Sequence, residues 1–147
     1  EEEFYDAFRK ATNFKTTNQE IKFAWNALLL NYRHEALHTL KTIKYKYRLY
    51  LLSNTNIIHQ QAFNKIYKED IGEGVLEDYF DKTYFSHEIG YRKPSREAYE
   101  YVLKENKLSP SETLFIDDSI QNIDGAKAVG LQTVFLKDGL GIEDLNL

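Results

Sequence analysis

Hydrophobic residues recur at helical spacing in the first third of the chain. This spacing predicts helices over residues 1–12 and 34–45. Between them, Thr17 and Glu20 have the spacing of a capping box and predict a helix that runs to about Asn31. Apolar residues occupy most of the circumference of this middle helix, so we expect it to be largely buried.

The pattern then changes to short apolar runs that alternate with helical stretches. The runs predict strands over residues 48–52, 82–85, 113–116 and 132–136. Helical patterns between them cover residues 57–68, 94–106 and a stretch ending at Val129. Gly130 suits a left-handed helix cap after that last stretch. Near-continuous apolar strands alternating with helices indicate a Rossmann-like α/β fold, with a parallel sheet flanked by helices.

Polar residues follow three of the predicted strands. Ser53 and Asn54 follow the first, Lys93 lies a few residues beyond the second, and Asp117 and Asp118 follow the third. Ligands of open α/β sheets bind beyond the carboxyl ends of the strands. A hydroxyl and an amine suit phosphate oxygens, whereas carboxylates suit Mg²⁺. The sequence therefore predicts one site for a phosphate and a divalent cation.

Composition narrows the function further. The 147 residues suit one domain, and the net charge of −4 gives no reason to bind nucleic acid or an anionic membrane. No apolar run approaches the roughly 20 residues of a membrane span, and the absence of cysteine fits a reducing cytoplasm.

Two other segments offer candidate sites. Residues 43–50 interleave basic and aromatic side chains, as single-strand nucleic-acid binders do. Because the overall charge is acidic, we interpret these tyrosines as packing between a helix end and a buried strand. His34 and His38 have a spacing that zinc could use, but no third ligand is evident, so we interpret them as surface histidines.

Three segments resemble motifs of one family. LLSNTN (51–56), YRKPS (91–95) and LFIDDSIQNIDGAKAVGLQTVFL (114–136) resemble motifs II, III and IV of the haloacid dehalogenase (HAD) superfamily, in that order. The resemblance covers residues 33–147, which it implies are a HAD-like core. Residues 1–32 resemble the end of the helical cap that many members insert after their first strand.

The resemblance implies roles for the residues at the strand ends. The catalytic residues would be Ser53, Lys93 and Asp117. Ser53, Lys93 and the backbone of Asn54 would bind the phosphate of a small phosphorylated metabolite. Asp118 would be a direct Mg²⁺ ligand, with Asp117 bound through water or exchanging roles with it. Asn122 would shape the loop rather than touch substrate.

The family's first motif is absent. No hydrophobic strand followed by Asp-x-Asp, which supplies the family's nucleophile, occurs in the sequence. Together with the absence of methionine, this leads us to expect that an N-terminal segment is missing and that the chain alone is inactive. The family's first strand lies between those ending at Ser53 and Asp117. We therefore expect either that these two strands close up against each other or that a second chain fills the gap between them. Homo-oligomers could then form through the exposed cap or sheet edges.

Two functions are consistent with these features. The first is the C-terminal part of a HAD-like, Mg²⁺-dependent phosphatase that works through an aspartyl-phosphate. The second is a truncated, non-catalytic protein that binds phosphate or a protein partner. A receiver domain combines similar residues, but there the acidic pair comes first and Lys-Pro last, whereas here Ser53 and Lys93 precede Asp117.

Overall fold

A computed structural model describes residues 1–137 and 139–147. Its α-helices are α1 (Glu2–Thr12), α2 (Asn18–Asn26), α3 (His34–Ile43), α4 (Ile57–Asp70), α5 (Ser86–Ile89), α6 (Arg96–Glu105) and α7 (Ile120–Ala128). Its strands are β1 (Tyr50–Ser53), β2 (Lys82–Phe85), β3 (Leu114–Asp117) and β4 (Gln132–Phe135). Short 3-10 turns cover Leu76–Tyr79, Pro110–Glu112 and Ile142–Asp144. The predicted α/β architecture is confirmed, and no helix in the described residues has the length and apolar character to cross a membrane.

Helix α2 begins as predicted but is less buried than expected. The Thr17 hydroxyl accepts a hydrogen bond from the Glu20 backbone N–H, and the Glu20 carboxylate accepts one from the Thr17 backbone N–H, which completes the capping box. Only Ile21 is fully buried, whereas Phe23 is 81% exposed and Leu30, beyond the helix end, is 84% exposed. The prediction of a largely buried helix is wrong because packing covers only one stripe of its surface.

The chain divides into two compact units. One consists of residues 1–32 and 56–76, and the other of residues 33–55 and 77–147. Helix α4 thus groups with the N-terminal helices, although the predicted HAD-like core would contain it. The grouping follows from packing, since α4 contacts α2. That residues 1–32 are a cap remnant stays a prediction.

The first unit has a small aromatic and aliphatic core. Tyr5, Ile21 and Ile58, one from each of its helices, form a buried cluster. Trp25 packs against this cluster, and its ring stacks on that of His59 at a centroid distance of 5.7 Å. Burial of these side chains is the main term that holds the three helices together.

The second unit contains two parallel strand pairs. Strand β1 pairs with β2, with Ser53 opposite Phe85, and β3 pairs with β4, with Asp117 opposite Phe135. Within the described residues β1 and β3 do not pair, so the expectation that these strands close up is wrong. Direct pairing would need a separation of about 4.8 Å. Instead, Asn54, which follows β1, and Asp117, the last residue of β3, both form hydrogen bonds with Lys93.

A single buried cluster supports both strand pairs. It consists of Tyr99, Leu103, Ala126 and Leu131. Leu52 of β1 and Phe115 of β3 both pack against it. The two pairs therefore share one core, although no hydrogen bonds link β1 to β3 in the described residues. This arrangement fixes the carboxyl ends of β1 and β3 relative to each other.

Candidate functional site

The predicted polar residues lie at the carboxyl ends of two strands and in one loop. Ser53 is the last residue of β1, and Asp117 is the last residue of β3. Asn54 and Asp118 follow them directly, and Lys93 lies in the loop between α5 and α6. Hydrogen bonds join Asn54 to Lys93 and Lys93 to Asp117. The structure therefore brings together residues that lie far apart along the chain.

Lys93 and Asp117 form a buried ion pair. The Lys93 Nζ lies 2.8 Å from Oδ2 of Asp117, and the two side chains are only 12% and 7% exposed. The ammonium also lies 5.6 Å from the centroid of the Phe115 ring, a cation–π distance. A lysine without a charged partner is normally exposed to solvent. Its burial beside a carboxylate places a positive charge at the strand ends.

Asp117 accepts further hydrogen bonds at its other oxygen. Its Oδ1 accepts from the backbone N–H of Ser119 at 2.8 Å and from the side-chain amide of Asn122 at 2.9 Å. Burial alone would raise the pKa of Asp117. The hydrogen bonds from Lys93, Asn122 and Ser119 outweigh burial and hold the pKa of this carboxyl below its ordinary value. Asp117 is therefore a carboxylate at neutral pH.

Tyr99 supports this arrangement from the core. Its hydroxyl donates a hydrogen bond to the backbone carbonyl of Asn122 at 2.8 Å. Burial, with a smaller contribution from the charge of Asp117, raises the pKa of Tyr99 to about 12. The hydroxyl therefore stays protonated and keeps its donor role. Asn122, predicted to shape the loop, does so by contacting Asp117 directly.

Asn54 holds the main chain of Lys93 with both atoms of its amide. Its Nδ2 donates to the carbonyl oxygen of Lys93 at 2.8 Å, and its Oδ1 accepts from the Lys93 backbone N–H at 2.8 Å. Ser86, which follows β2 as the first residue of α5, does the same for Thr55: its Oγ accepts from the Thr55 N–H at 3.0 Å and donates to the Thr55 carbonyl at 2.9 Å. These side chains join the loops that follow neighbouring strands.

Gly125 allows helix α7 to approach the Lys93 loop. A methyl group added at Gly125 would lie 2.7 Å from the carbonyl oxygen of Pro94 and 3.1 Å from Cε2 of Tyr99. The first distance is too short for any side chain, so only glycine fits here without displacement. Sequence reasoning missed Ser86, Tyr99 and Gly125. A glycine inside a helical pattern was the one signal that could have indicated a close approach.

The acidic pair has the donors that Mg²⁺ prefers. Both oxygens of Asp117 are already hydrogen-bonded, whereas Asp118 is exposed. Mg²⁺ usually binds one or two carboxylates and completes its coordination with water and phosphate oxygens. Asp118, with or without Asp117, could therefore hold the ion. In the part of the chain that the structure describes, no group of three or more His, Cys, Asp or Glu could hold a metal.

The two histidines singled out for zinc lie elsewhere in the same unit. His34 and His38 line an open surface depression together with Glu143 and Asp144. Over residues 1–137 and 139–147 they do not complete a metal-binding cluster. Neither residue contributes to the Asn54, Lys93 and Asp117 cluster.

Fold and site together define a parallel α/β protein whose charged and hydrogen-bonding residues collect at the carboxyl ends of its strands. A family model for haloacid dehalogenase-like hydrolases matches residues 1–130. The chain therefore belongs to the haloacid dehalogenase-like hydrolase family.

Individual relatives agree with this assignment. A D-ribitol-5-phosphate phosphatase of Bacteroides thetaiotaomicron is 34% identical over 140 residues, which are 91% of this chain and 66% of that protein. A wild-type HAD family enzyme from Bacteroides thetaiotaomicron, solved with magnesium and inorganic phosphate, is 35% identical with a TM-score of 0.84, over 95% of this chain and 70% of that one. A protein from Porphyromonas gingivalis, described as a predicted HAD-like family hydrolase, is 28% identical with a TM-score of 0.86, over 97% and 69% of the two chains. The chain thus spans about two thirds of the length of these relatives.

Proposed function

We propose that this chain is the C-terminal part of a Mg²⁺-dependent phosphatase that acts on a small phosphorylated metabolite. The observation that carries the proposal is the buried Lys93–Asp117 ion pair, joined to Asn54 at the carboxyl ends of β1 and β3. A positive charge, a hydroxyl and an acidic pair at this edge suit a phosphate group and a divalent cation.

The relatives support a polyol or sugar phosphate as the substrate class. The Bacteroides thetaiotaomicron relative is named for D-ribitol 5-phosphate and is similar over nearly the whole of this chain. A pentitol phosphate offers one dianionic group for the strand ends and hydroxyl groups for the rest of the site. We therefore propose an acyclic or cyclic sugar phosphate, with the phosphate bound near Lys93.

The residues act on the phosphate through position and charge. In-line phosphoryl transfer spreads negative charge over the equatorial oxygens, so fixed donors and cations lower the barrier. The Ser53 hydroxyl and the Asn54 backbone N–H donate to these oxygens, and the Lys93 ammonium neutralises them. Asp117 pairs with the Lys93 ammonium at 2.8 Å and holds it in place. When bound at Asp118 and Asp117, Mg²⁺ supplies further positive charge to the phosphate.

The nucleophile is the part that this chain does not contain. The family's aspartyl-phosphate forms on an Asp-x-Asp motif, and the sequence has none. The absence of pairing between β1 and β3 in the described residues is consistent with a strand that belongs between them. We propose that a preceding strand ending in Asp-x-Asp completes the sheet and the site.

Hydrolysis of an aryl phosphate in the presence of Mg²⁺ tests this proposal. We expect no turnover by the 147-residue chain. We expect turnover when a strand ending in Asp-x-Asp precedes Glu1, and loss of that turnover in its Lys93→Met variant. Turnover by the chain alone would show that its nucleophile is a residue other than the aspartate of the family's Asp-x-Asp motif. Turnover by the extended protein that survives Lys93→Met would contradict the role of Lys93.

A further inference from the structure

We propose that Asn54 is a positioning residue that acts through Lys93, in addition to offering its backbone N–H to phosphate. The proposal deepens the proposed function and rests on it, because it concerns how the phosphate-facing ammonium is held. Asn54 follows directly after β1, whereas Lys93 lies 39 residues further along the chain. The side chain of Asn54 links the end of the strand to that loop.

The hydrogen bonds leave the Asn54 amide little freedom to serve a ligand. Its Nδ2 donates to the Lys93 carbonyl and its Oδ1 accepts from the Lys93 N–H, each at 2.8 Å. Both ends of the amide are thus directed at one residue. Two bonds to the same residue fix orientation as well as distance. The side chain therefore restrains the main chain of Lys93.

Lys93 needs this restraint because it lies outside regular secondary structure. A lysine side chain has a flexible stem of four carbons, and holding it in place costs up to about 2 kcal/mol of conformational entropy. Its ammonium nevertheless reaches Asp117 at 2.8 Å with 12% of the side chain exposed. A main chain fixed at Lys93 confines the ammonium to the neighbourhood of Asp117. A loose loop would let it move into solvent.

Chemical labelling of lysines measures this restraint without any ligand. An amine-reactive ester modifies a lysine only when the ammonium leaves its partner and loses its proton, and mass spectrometry quantifies each site. We expect Asn54→Ala to raise the labelling rate of Lys93 at least about fivefold, since two hydrogen bonds are lost. The matched control is Asn106→Ala, which removes an amide that donates to Tyr84 and Val102. In the control the labelling rate of Lys93 stays unchanged.

A second variant covers the case in which Asn54→Ala does not fold. Asn54→Asp keeps the acceptor for the Lys93 N–H and loses the donor to its carbonyl. We expect its Lys93 labelling rate to rise, by less than in Asn54→Ala. An unchanged rate in a folded Asn54 variant, or an equal rise in Asn106→Ala, would overturn the proposal.

Affinity for inorganic phosphate with Mg²⁺, measured by calorimetry, separates positioning from direct contact. We expect Asn54→Ala to weaken binding about fivefold or more in the wild-type background and to have no effect in the Lys93→Met background. An equal loss in both backgrounds would mean that the Asn54 side chain contacts phosphate itself, and would overturn the proposal. If the wild-type chain binds no phosphate, that result counts against the proposed function, and labelling alone decides the role of Asn54.

Discussion

Asp117 connects three parts of the site through a single carboxylate. It accepts hydrogen bonds from Lys93 in a distant loop, from the Ser119 backbone N–H and from the Asn122 side chain. Removing its charge would leave the Lys93 ammonium buried without a counter-ion, which is costly in a protein interior. We therefore expect protonation of Asp117 to weaken its contact with the Lys93 ammonium.

Replacing Asp117 with asparagine tests this dependence through pH. We expect Asp117→Asn to lower the free energy of unfolding by about 3 kcal/mol near neutral pH. The pKa of Asp117 is lowered in the folded protein, so its stabilising contribution is complete above the ordinary value of 3.8 and is lost as pH falls through the folded pKa. Urea unfolding across pH should therefore show a constant difference from wild type above about pH 5 that shrinks below pH 3.8.

The control for this experiment is Asp124→Asn, an exposed position in α7. We expect it to change stability by less than about 0.5 kcal/mol at every pH. A difference between wild type and Asp117→Asn that grows toward acid would contradict the lowered pKa of Asp117.

Asp118 has a different role from its neighbour. It is exposed, so we expect Asp118→Asn to leave the free energy of unfolding within about 0.5 kcal/mol of wild type. As the proposed direct ligand, it should matter for metal instead. At saturating inorganic phosphate, calorimetry should show Mg²⁺ affinity at least about tenfold lower than in Asp124→Asn. Equal Mg²⁺ affinity in the two variants would remove Asp118 from the metal site.

At the level of single elements, the sequence predicted what depends on local pattern and missed what depends on neighbours. The strands were predictable because their apolar runs are nearly continuous, and α2 begins at Thr17 because its capping box is local. The burial of α2 was not predictable, since an apolar residue such as Phe23 has the same pattern whether or not another element covers it. For the same reason, the sequence could not predict the hydrogen bonds of Asn54, because their partner Lys93 lies 39 residues away along the chain.

The packing of α7 against the Lys93 loop depends on the absence of a side chain at Gly125. A methyl group at Gly125 would meet the Pro94 carbonyl oxygen at 2.7 Å. Alanine would gain about 1 kcal/mol of helix propensity over glycine. We expect this gain to be exceeded by the cost of displacing the loop, for a net loss of about 1–2 kcal/mol in the free energy of unfolding of Gly125→Ala. Urea denaturation measures it.

Lys127→Ala provides the comparison within the same helix, because Lys127 is exposed and its replacement tests propensity without a clash. We expect its free energy of unfolding to match wild type within about 0.5 kcal/mol. A Gly125→Ala protein more stable than wild type would show that the loop accommodates the methyl group freely.

At the scale of the whole molecule, the order of the three motifs along the sequence was the most informative signal. Each motif is short, but the order Ser53, Lys93, Asp117 matched one family, and the family model confirms the membership. The sequence could not indicate how strands β1 and β3 would be arranged without a strand between them. The structure keeps them unpaired in its described residues, with a shared core that includes Leu52 and Phe115.

The proposed function requires a hydroxyl, an ammonium and an acidic pair to act on one ligand. A titration of the isotope-labelled chain with inorganic phosphate and Mg²⁺, followed by amide NMR shifts, tests this most directly. We predict that the amides of Ser53, Asn54, Lys93 and Asp118 shift together along one binding curve, and that Lys93→Met abolishes the shifts. Shifts confined to other regions, or curves that differ among these four residues, would contradict the existence of a common phosphate site.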